Sequence, residues 1–305
     1  MFRLLGALRS RGQPASRPGG PAAAGRVTDV ADLFAPLRGR YTEWLRRDAG
    51  GVQEDREEAA ADVRALPLIV RMERTQPPSW HAAMTMAAQG AALVCLDERA
   101  QPGGPWHDAV AAYTAGHIRK VTRRARGAHW VAVAEVPGIA LSRTGPDEVT
   151  TEVRVLLPGL VSDLDPRVSR LQVGGTDAPV DAAGSDPGVP HLAVLVPPRP
   201  VTTLGKAMAQ SGHAGMIFAA LAAADRPELL LRWHESGCPV AVHRVDAVTW
   251  ANRFDALDDP TRAWSEHGLL AVRDAGFTEV APGTITVIGA WVHHDHGSLR
   301  PGEPG

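Results

Sequence analysis

The sequence predicts an α/β protein made of two three-layer α/β sandwich domains, each with a mixed sheet. Three observations predict it. Strands alternate with helices in both halves of the chain, and the order of elements starts again after a Pro- and Gly-rich break. The segments that begin at Leu68 and at Val194 also align without a gap, at an offset of 126 residues. Such self-similarity predicts a degenerate internal repeat, and two copies in one chain commonly pack as a pseudo-dimer.

The composition is that of a globular protein. It lacks the strong positive charge of many nucleic-acid-binding proteins and the cysteine content of a disulfide-stabilised protein. The 305 residues are 44% hydrophobic and 22% charged, and the formal net charge is -2. A nucleic-acid partner would therefore need a local basic patch. The two cysteines, Cys95 and Cys238, are far apart in apolar contexts, which predicts free thiols and a cytoplasmic protein. No apolar run is long enough for us to expect a membrane span.

The outer segments have a different composition from the middle of the chain. Residues 1–26 are rich in Arg, Pro and Gly and are predicted to form a disordered tail. A helical extension is predicted over residues 27–65, because apolar residues recur with helical spacing over 29–47 before a charged segment. Residues 293–305 are predicted to form a flexible tail, whose histidines have no cluster of carboxylates or thiols beside them to complete a metal site.

The first domain is predicted over residues 66–175. An Ala/Met-rich helix follows its first strand, and Gly116 is expected to end its second helix. The predicted strands are Leu66–Met72, His117–Thr122, Trp130–Ala134, Ile139–Ser142 and Glu152–Leu157, and the predicted helices are Trp80–Leu96 and Trp106–Ala115.

A linker is predicted over residues 176–190, which are small, acidic and rich in Pro and Gly. The second domain is predicted over residues 191–292. Its predicted strands are His191–Val196, Pro239–Val245, Leu269–Arg273 and Thr284–Ala290, and its predicted helices are Leu204–Ala224, Pro227–Ser236 and Val248–Ala256.

The two copies differ in chemistry on their first helices. The second copy carries polar side chains where the first copy carries apolar ones. A polar group on a packed helix destabilises the fold unless it is paired, so a function other than packing is indicated. The pairs are Lys206 opposite Trp80, Gln210 opposite Met84 and His213 opposite Ala87. Taken singly, a solvated lysine and a hydrogen-bonded core histidine are the more common explanations.

A second group of polar residues follows the strand Leu269–Arg273. Asp274 comes directly after this strand, at the end where α/β sheets commonly place ligands, and Gly276 allows the chain to turn. Thr278 is expected to bring its hydroxyl near the Asp274 carboxylate. Thr284 and Thr286 begin the next strand two residues apart and hence on one face. An ordinary turn is the alternative explanation for Asp274 alone.

The motifs GKAMAQSGHA and DAGFTEVAPGTITVIG resemble those of the type II, archaeal and eukaryotic, peptidyl-tRNA hydrolases. The resemblance covers residues 191–291, with both motifs in the expected order and elements. The first copy resembles the same domain through the repeat and lacks the motif residues. This arrangement resembles an actinobacterial-type two-copy variant of the family.

The resemblance implies a metal-independent and cofactor-independent esterase. Lys206, Asp274, Thr278 and Thr286 would be catalytic, and Gln210, His213 and Thr284 would contact substrate. A cation or fixed donors near the ester carbonyl would stabilise the negative charge that water attack creates. Two departures weaken the expected affinity for RNA: Phe277 replaces the family's arginine, and Glu279 replaces its glutamine.

The most basic stretch lies in the first copy, around residues 117–129, and contains no acid. One hypothesis is that it contacts the backbone of tRNA. A solvated edge strand protected by its charges is the equally weighted alternative. The candidate substrate-binding residues in this stretch are Arg119, Lys120, Arg123 and Arg124.

Three functions are consistent with these observations. The first is a hydrolase that releases tRNA from peptidyl-tRNA by direct water attack, since no Ser-His-Asp arrangement is visible. The alternative is a catalytically silent module that keeps the fold and binds RNA or protein. A hydrolase for another acyl ester or amide is the third. The substrate peptidyl-tRNA and an intramolecular pseudo-dimer are the expected partners, with no membrane involved.

Overall fold

The computed structural model describes residues 21–47, 51, 59, 61–145, 148–181, 186–276 and 278–293, and the side chains of residues 21–29 lie outside this description. The expectations for residues 1–20, for most of the charged segment before the first strand, for Phe277 and for residues 294–305 therefore fall outside the described residues. Within the described part of the chain, no helix has both the length and the apolar character needed to cross a bilayer.

The first sheet has the strand order β2-β1-β4-β3, with the short strand β5 paired to β1. Strands β1 and β2 are parallel, whereas β4 is antiparallel to both β1 and β3, so the sheet is mixed. The strands are β1 Arg64–Arg71, β2 Arg119–Ala125, β3 Gly138–Thr144, β4 Thr150–Leu156 and β5 Gly159–Leu160. The helices of this first unit are α2 Trp80–Leu96, α3 His107–Ala115, α4 Gly127–Ala132 and α5 Pro166–Ser169.

The second sheet has the order β7-β6-β9-β8, with the same pattern of one parallel and two antiparallel pairings. Its strands are β6 His191–Val196, β7 Val240–Arg244, β8 Leu269–Arg273 and β9 Ile285–Val292. The helices of this second unit are α6 Leu204–Asp225, α7 Pro227–Glu235, α8 Ala247–Asp255 and α9 Pro260–His267. The predicted α/β class with two mixed sheets is confirmed.

The two units meet through α2 and α6, which cross at small residues. A Cβ atom added to Gly215 of α6 would lie 2.1 Å from the carbonyl oxygen of Ala88 on α2, so only glycine allows this approach. Across the same contact, the Ser211 hydroxyl donates to the Met84 carbonyl at 2.9 Å. Close backbone approach thus joins the inner helices of the two units.

Helices also cover the outer face of each sheet. In the first unit, Ile69 of β1 packs outward against Val133 and Val168, whereas its neighbours in β1 belong to the central core. In the second unit, Ala271 of β8 packs outward with Leu257 and other apolar residues. This alternation follows from the two-residue period of a strand and gives each unit three layers.

The predicted strand Trp130–Ala134 is wrong. These residues belong to α4 and to a 3₁₀ turn, Val133–Glu135, that lie against the outer face of the first sheet. Gly127 starts this segment with a φ of +50°, which redirects the chain as it leaves β2. A short apolar run fits a strand and a short helix equally well, so its periodicity alone could not decide.

Helix α9 was not predicted, although its end signals are present in the sequence. Asp259 accepts hydrogen bonds from the amides of Thr261 and Arg262, Pro260 occupies the first turn, and Gly268 ends the helix in the left-handed region.

Helix α1, Pro21–Arg46, packs across both units. It begins within the segment expected to be a tail. Phe34 is fully buried in the central core, and Tyr41 accepts a hydrogen bond from the Ala271 amide of β8 at 2.9 Å. Arg40 donates to the Thr114 carbonyl of α3 at 2.9 Å. Because β8 is an edge strand, α1 satisfies an otherwise unpaired donor of the second sheet while contacting the first unit.

Candidate active site

Lys206 and Asp274, both predicted as catalytic residues, contact each other at the start of α6. The Lys206 ammonium donates to Asp274 Oδ2, and the two side chains are 11% and 8% exposed. Thr203 caps α6 and places Lys206 in its first turn. The first turn of a helix carries a partial positive charge, so an ammonium there is unfavourable. The Asp274 carboxylate offsets this repulsion and also the cost of burying the ammonium.

The Asp274 carboxylate accepts hydrogen bonds from two side chains and a backbone amide of the described residues. Its Oδ2 atom accepts from Lys206 and, at 2.8 Å, from Gln210 Nε2, while its Oδ1 atom accepts from the Gly276 amide at 2.7 Å. An ionised carboxylate has about four acceptor positions. Oδ1 therefore retains room for a further donor such as water.

Thr286 extends this network from the neighbouring strand. Its hydroxyl lies 2.6 Å from Gln210 Oε1 and 3.2 Å from the Val272 carbonyl, and the side chain is 6% exposed. The register of β8 and β9 shifts here, because Val272 pairs with Val287 but Arg273 pairs with Ile285. This bulge leaves Thr286 as the extra residue and directs it toward α6.

The loop that follows Asp274 is closed by its own backbone. The Asp274 amide donates to the Thr284 carbonyl at 2.8 Å, and the Gly283 amide donates to the Asp274 carbonyl at 2.8 Å. Gly276 has a φ of +76°, and a Cβ there would lie 2.5 Å from Pro282. The Thr284 hydroxyl donates to the Ala281 carbonyl at 2.7 Å, so its described contact stabilises the loop.

Glu279, one of the two departures from the family pattern, joins this loop to α6. Its carboxylate accepts from the Thr203 amide at 2.8 Å and from the Thr203 hydroxyl at 2.6 Å. A negative charge at the start of a helix is favourable, so Glu279 acts as a long-range cap. Thr278 is exposed beside it, and Phe277 lies outside the described residues.

A cleft of about 470 Å³ between the two units lies beside this network, and neither Thr284 nor Thr286 is among the residues that line it. Its walls come from α1, from β2 and the residues before it, from the first half of α6, and from the loop after β8. Of the predicted site residues, Lys206, Gln210, His213, Asp274 and Thr278 line it together, and Arg119 and Lys120 join them from the first unit.

Lys120 reaches from β2 to His213 of α6. Its amine lies 3.4 Å from His213 Nδ1, 3.3 Å from the Tyr113 hydroxyl and 3.2 Å from the Ile118 carbonyl. Burial lowers the pKa of Lys120 from its ordinary 10.5 to about 7. Burial, together with the charges of Lys120 and Lys206, lowers the pKa of His213 well below its usual value, so His213 is neutral near pH 7.

The other basic residues of β2 contact the chain itself. Arg123 donates to the Leu171 carbonyl at 2.7 Å, and Arg124 donates to the Gln172 side chain. Arg124 and Gln172 also form an isolated β-bridge. These contacts hold the segment after α5 against the edge strand β2.

Sequence patterns missed several residues that build the cleft. Arg273, just before Asp274, donates to the carbonyls of Trp44 at 3.3 Å and of Gly283 at 3.2 Å, and also to that of Arg47. Trp44 Nε1 donates in return to the Arg273 carbonyl at 3.1 Å. The helical spacing of α1 predicted a buried face, but no local pattern indicated that its end would meet the Asp274 loop.

Among the described residues, no group of three or more His, Cys, Asp or Glu side chains is placed to hold a metal ion. The candidate site brings together the Lys206–Asp274 ion pair, the Gln210 amide, the threonine hydroxyls and the Lys120–His213 contact.

Comparison with known proteins agrees with the sequence motifs. The family model for peptidyl-tRNA hydrolase PTH2 matches residues 201–292, which include α6, the Asp274 loop and β9. A peptidyl-tRNA hydrolase of Nanoarchaeum equitans (strain Kin4-M) is 35% identical over 86 residues, which are 28% of this chain and 70% of that protein. Through its second unit, the chain belongs to the peptidyl-tRNA hydrolase PTH2 family.

Proposed function

We propose that this chain hydrolyses the ester between a peptide and tRNA by direct attack of water in the cleft. Membership of a hydrolase family supports this. The observation that carries the proposal is the hydrogen bonding of Asp274: Oδ2 is held by Lys206 and Gln210, while Oδ1 accepts from one backbone amide. One carboxylate can thus fix a cation at one oxygen and receive a water proton at the other.

The reaction balances with these groups alone. Asp274 Oδ1 takes a proton from water as the water oxygen bonds to the ester carbonyl carbon. The Lys206 ammonium stabilises the negative charge on the carbonyl oxygen, and a single donor of this kind is worth about 2.7–4 kcal/mol of barrier. The bond to the ribose oxygen then breaks, and the proton held by Asp274 passes to that oxygen. The products are a peptide with a free carboxyl group and an intact tRNA.

The two threonines would act in different ways. Thr278 is exposed in the cleft, where its hydroxyl would orient the water or the ester. Thr286 is buried and hydrogen-bonded to Gln210, so it would position Gln210, and through it Asp274, without touching substrate. Gln210 and His213 would contact the substrate from α6.

For tRNA binding, Arg119 and Lys120 are the better placed members of the basic stretch, because both line the cleft. Arg123 and Arg124 would contact a phosphate by exchanging or sharing their present partners on the segment after α5. Thr284 would contribute through the loop that it closes.

The chain organisation proposed from the sequence accompanies this function. A degenerate domain over residues 66–175 and a hydrolase domain over residues 191–292 would be copies of one repeat, packed as a pseudo-dimer through α2 and α6. The identical strand order of the two sheets supports this. The substrate would place the protein in the cytoplasm.

The test is release of N-acetylaminoacyl groups from tRNA by the purified protein, beside the variants Lys206→Ala and Asp274→Ala. We expect release by the wild type and a loss of at least about 100-fold in both folded variants. No release by the wild-type protein, with retained tRNA binding that weakens in salt, would favour a silent binding module instead.

A further inference from the structure

The chain contains 32 lysines and arginines, and only two of them, Lys120 and Lys206, are lysines. The two lysines belong to different units and lie 86 positions apart, yet both line the same cleft. Arginine keeps its proton in proteins, whereas a desolvated lysine can release it. Lysine at position 120 therefore calls for an explanation beyond positive charge, which arginine provides elsewhere in this chain.

The amine of Lys120 has three hydrogen-bond partners among the described residues: Tyr113, Ile118 and His213. The Tyr113 hydroxyl donates to the Arg119 carbonyl at 2.8 Å, so its oxygen can accept a hydrogen bond from Lys120. The Ile118 carbonyl is an acceptor as well. An ammonium has three donors and no lone pair, so His213 Nδ1 must be the third acceptor whenever Lys120 is charged.

We propose that Lys120, from the first unit, is a positioning residue that holds His213 in one tautomer and so makes its other ring nitrogen, Nε2, a hydrogen-bond donor to substrate. A neutral imidazole carries one proton, and Nδ1 has none when it accepts from Lys120. The first unit would thereby complete the site of the second. This inference rests on the proposed hydrolase function for its kinetic consequences but not for the tautomer itself.

The position of His213 indicates which part of the substrate it meets. His213 follows Lys206 by seven residues on α6, which places it about 10 Å further along the helix at 1.5 Å per residue. The ester carbonyl lies at Lys206, so His213 would donate to an acceptor atom well beyond the ester. That acceptor would be a peptide carbonyl of the acyl part or a ring nitrogen of the terminal nucleoside.

Deprotonation of Lys120 would reverse this hydrogen bond. A neutral amine keeps two donors, for Tyr113 and Ile118, and gains a lone pair that accepts from His213 Nδ1–H. The pKa of about 7 places this change near neutrality. The titratable groups that face the amine are Tyr113 on α3, Cys95 on α2 and His213 on α6. Lys206 lies on α6 as well, two turns before His213. From α1, Arg40 and Glu43 line the same cleft.

The tautomer can be measured without any substrate. Ring nitrogen chemical shifts of ¹⁵N-histidine-labelled protein distinguish Nδ1–H from Nε2–H, and comparison with His213→Asn assigns the signal. We expect Nε2–H for His213 at pH 6 and a change toward Nδ1–H as the pH rises above about 7. In Lys120→Met the tautomer should not change with pH over this range. Nδ1–H at pH 6 in the wild type would overturn the proposal.

Kinetics test the donor role, once the wild type has been found to release N-acetylaminoacyl-tRNA. The amide nitrogen of glutamine approximates His Nε2, and that of asparagine approximates His Nδ1. We expect His213→Gln to keep most of the activity and His213→Asn to raise KM about 10-fold, with Lys120→Met between them. Equal loss in both His213 variants, or full activity in His213→Asn, would overturn the proposal.

Substrate length separates the two acceptor sources. If the loss in His213→Asn grows from N-acetylaminoacyl-tRNA to tripeptidyl-tRNA, the acceptor is a peptide carbonyl. If the loss is the same for both substrates, the acceptor belongs to the nucleoside. Failure of the wild type with both substrates would contradict the proposed function, while the tautomer measurement would still decide the role of Lys120.

Discussion

The inner helices α2 and α6 occupy the same place in their units but carry opposite chemistry at equivalent positions. Both follow the central strand of a mixed sheet, and both pack against the edge strand of the other unit. The face of α2 is apolar and almost fully buried, whereas that of α6 is polar and joined by hydrogen bonds. The residues compared are Trp80, Met84 and Ala87 on α2, and Lys206, Gln210 and His213 on α6.

This difference shows what a polar helix face requires. The polar groups of α6 are satisfied by groups from other elements: Asp274 and Thr286 from its own unit, and Lys120 from β2. The Thr122 hydroxyl of β2 also donates to the Gly205 carbonyl at 2.7 Å. At the equivalent positions of α2, apolar side chains pack in the core and no such network forms among the described residues. The second unit therefore carries the candidate site, and the first unit contributes a wall of the cleft with Arg119 and Lys120 on it.

The largest expected effect comes from breaking the buried ion pair of the second unit. Asp274→Asn would leave the Lys206 ammonium buried without a carboxylate, which should lower the free energy of unfolding by about 3–5 kcal/mol. The double variant with Lys206→Met should recover much of that stability, because it removes the uncompensated charge. Neither variant should regain hydrolysis. Urea unfolding and the release assay measure the two properties.

The control for this prediction is an ion pair of the first unit, Arg71–Glu152, whose side chains are 39% and 27% exposed. Glu152→Gln should cost at most about 1 kcal/mol, because partly exposed pairs are weak. If Asp274→Asn cost no more than Glu152→Gln, burial of the Lys206–Asp274 pair would not make it more important for stability than a partly exposed pair.

Lys120→Met should change how stability depends on pH. The pKa of Lys120 is about 7 in the folded protein and near 10.5 when unfolded, so the unfolded chain binds more protons between these values. This group therefore makes the wild type more stable as the pH rises from about 7 toward 10.5. Lys120→Met lacks that rise. The free energy of unfolding of the variant, minus that of the wild type, should therefore be about 3 kcal/mol larger at pH 6 than at pH 9. A parallel pH dependence of the two proteins would contradict the lowered pKa.

Much of the fold was predictable because strands and helices follow local periodicity. The sequence placed β6 and β8 within their observed bounds and α6 within one residue of its end. The resemblance of the two motifs to a known family implied that Lys206 and Asp274 would lie together, and the structure brings them into contact. The segment Trp130–Ala134 failed because five residues cannot distinguish a strand from a turn of helix.

Contacts between distant segments were not predictable in this way. Alternation along β2 assigns Lys120 to one face of a strand, but it cannot indicate that the amine meets His213 on α6. The same holds for Arg273 and the end of α1. These contacts depend on how the two units and α1 pack together, which no local pattern in the sequence specifies.

Thr286 and Thr151 allow a smaller and more selective comparison. Each is the second residue of the strand antiparallel to the central one, and each is buried. Thr286 is hydrogen-bonded to Gln210, whereas Thr151 accepts from the Ser79 amide at the start of α2. Valine at either position leaves a buried polar group unpaired, at a cost of about 1–3 kcal/mol.

Activity should separate the two threonine variants. Thr286→Val removes the hydroxyl that is bonded to Gln210 Oε1, so Gln210 is held less firmly and kcat should fall about 10-fold. Thr151→Val should leave kcat unchanged in the folded protein. The release assay at a temperature where both variants are folded measures this. Equal kcat for the two variants would show that the hydroxyl of Thr286 matters only for stability.

The smallest expected effect concerns Glu279, where the chain departs from the family's glutamine. Glu279→Gln keeps an acceptor oxygen for Thr203 but removes the charge, so stability should fall by less than about 1 kcal/mol. The exposed negative charge also lies on the wall of the cleft, and its removal should lower KM for a tRNA substrate at low salt.

Glu279→Ala detaches the Asp274 loop from α6 and should lower kcat as well. If Glu279→Gln lost as much activity as Glu279→Ala, the charge itself would be required, and this departure would be an adaptation of the site rather than a cost to RNA binding.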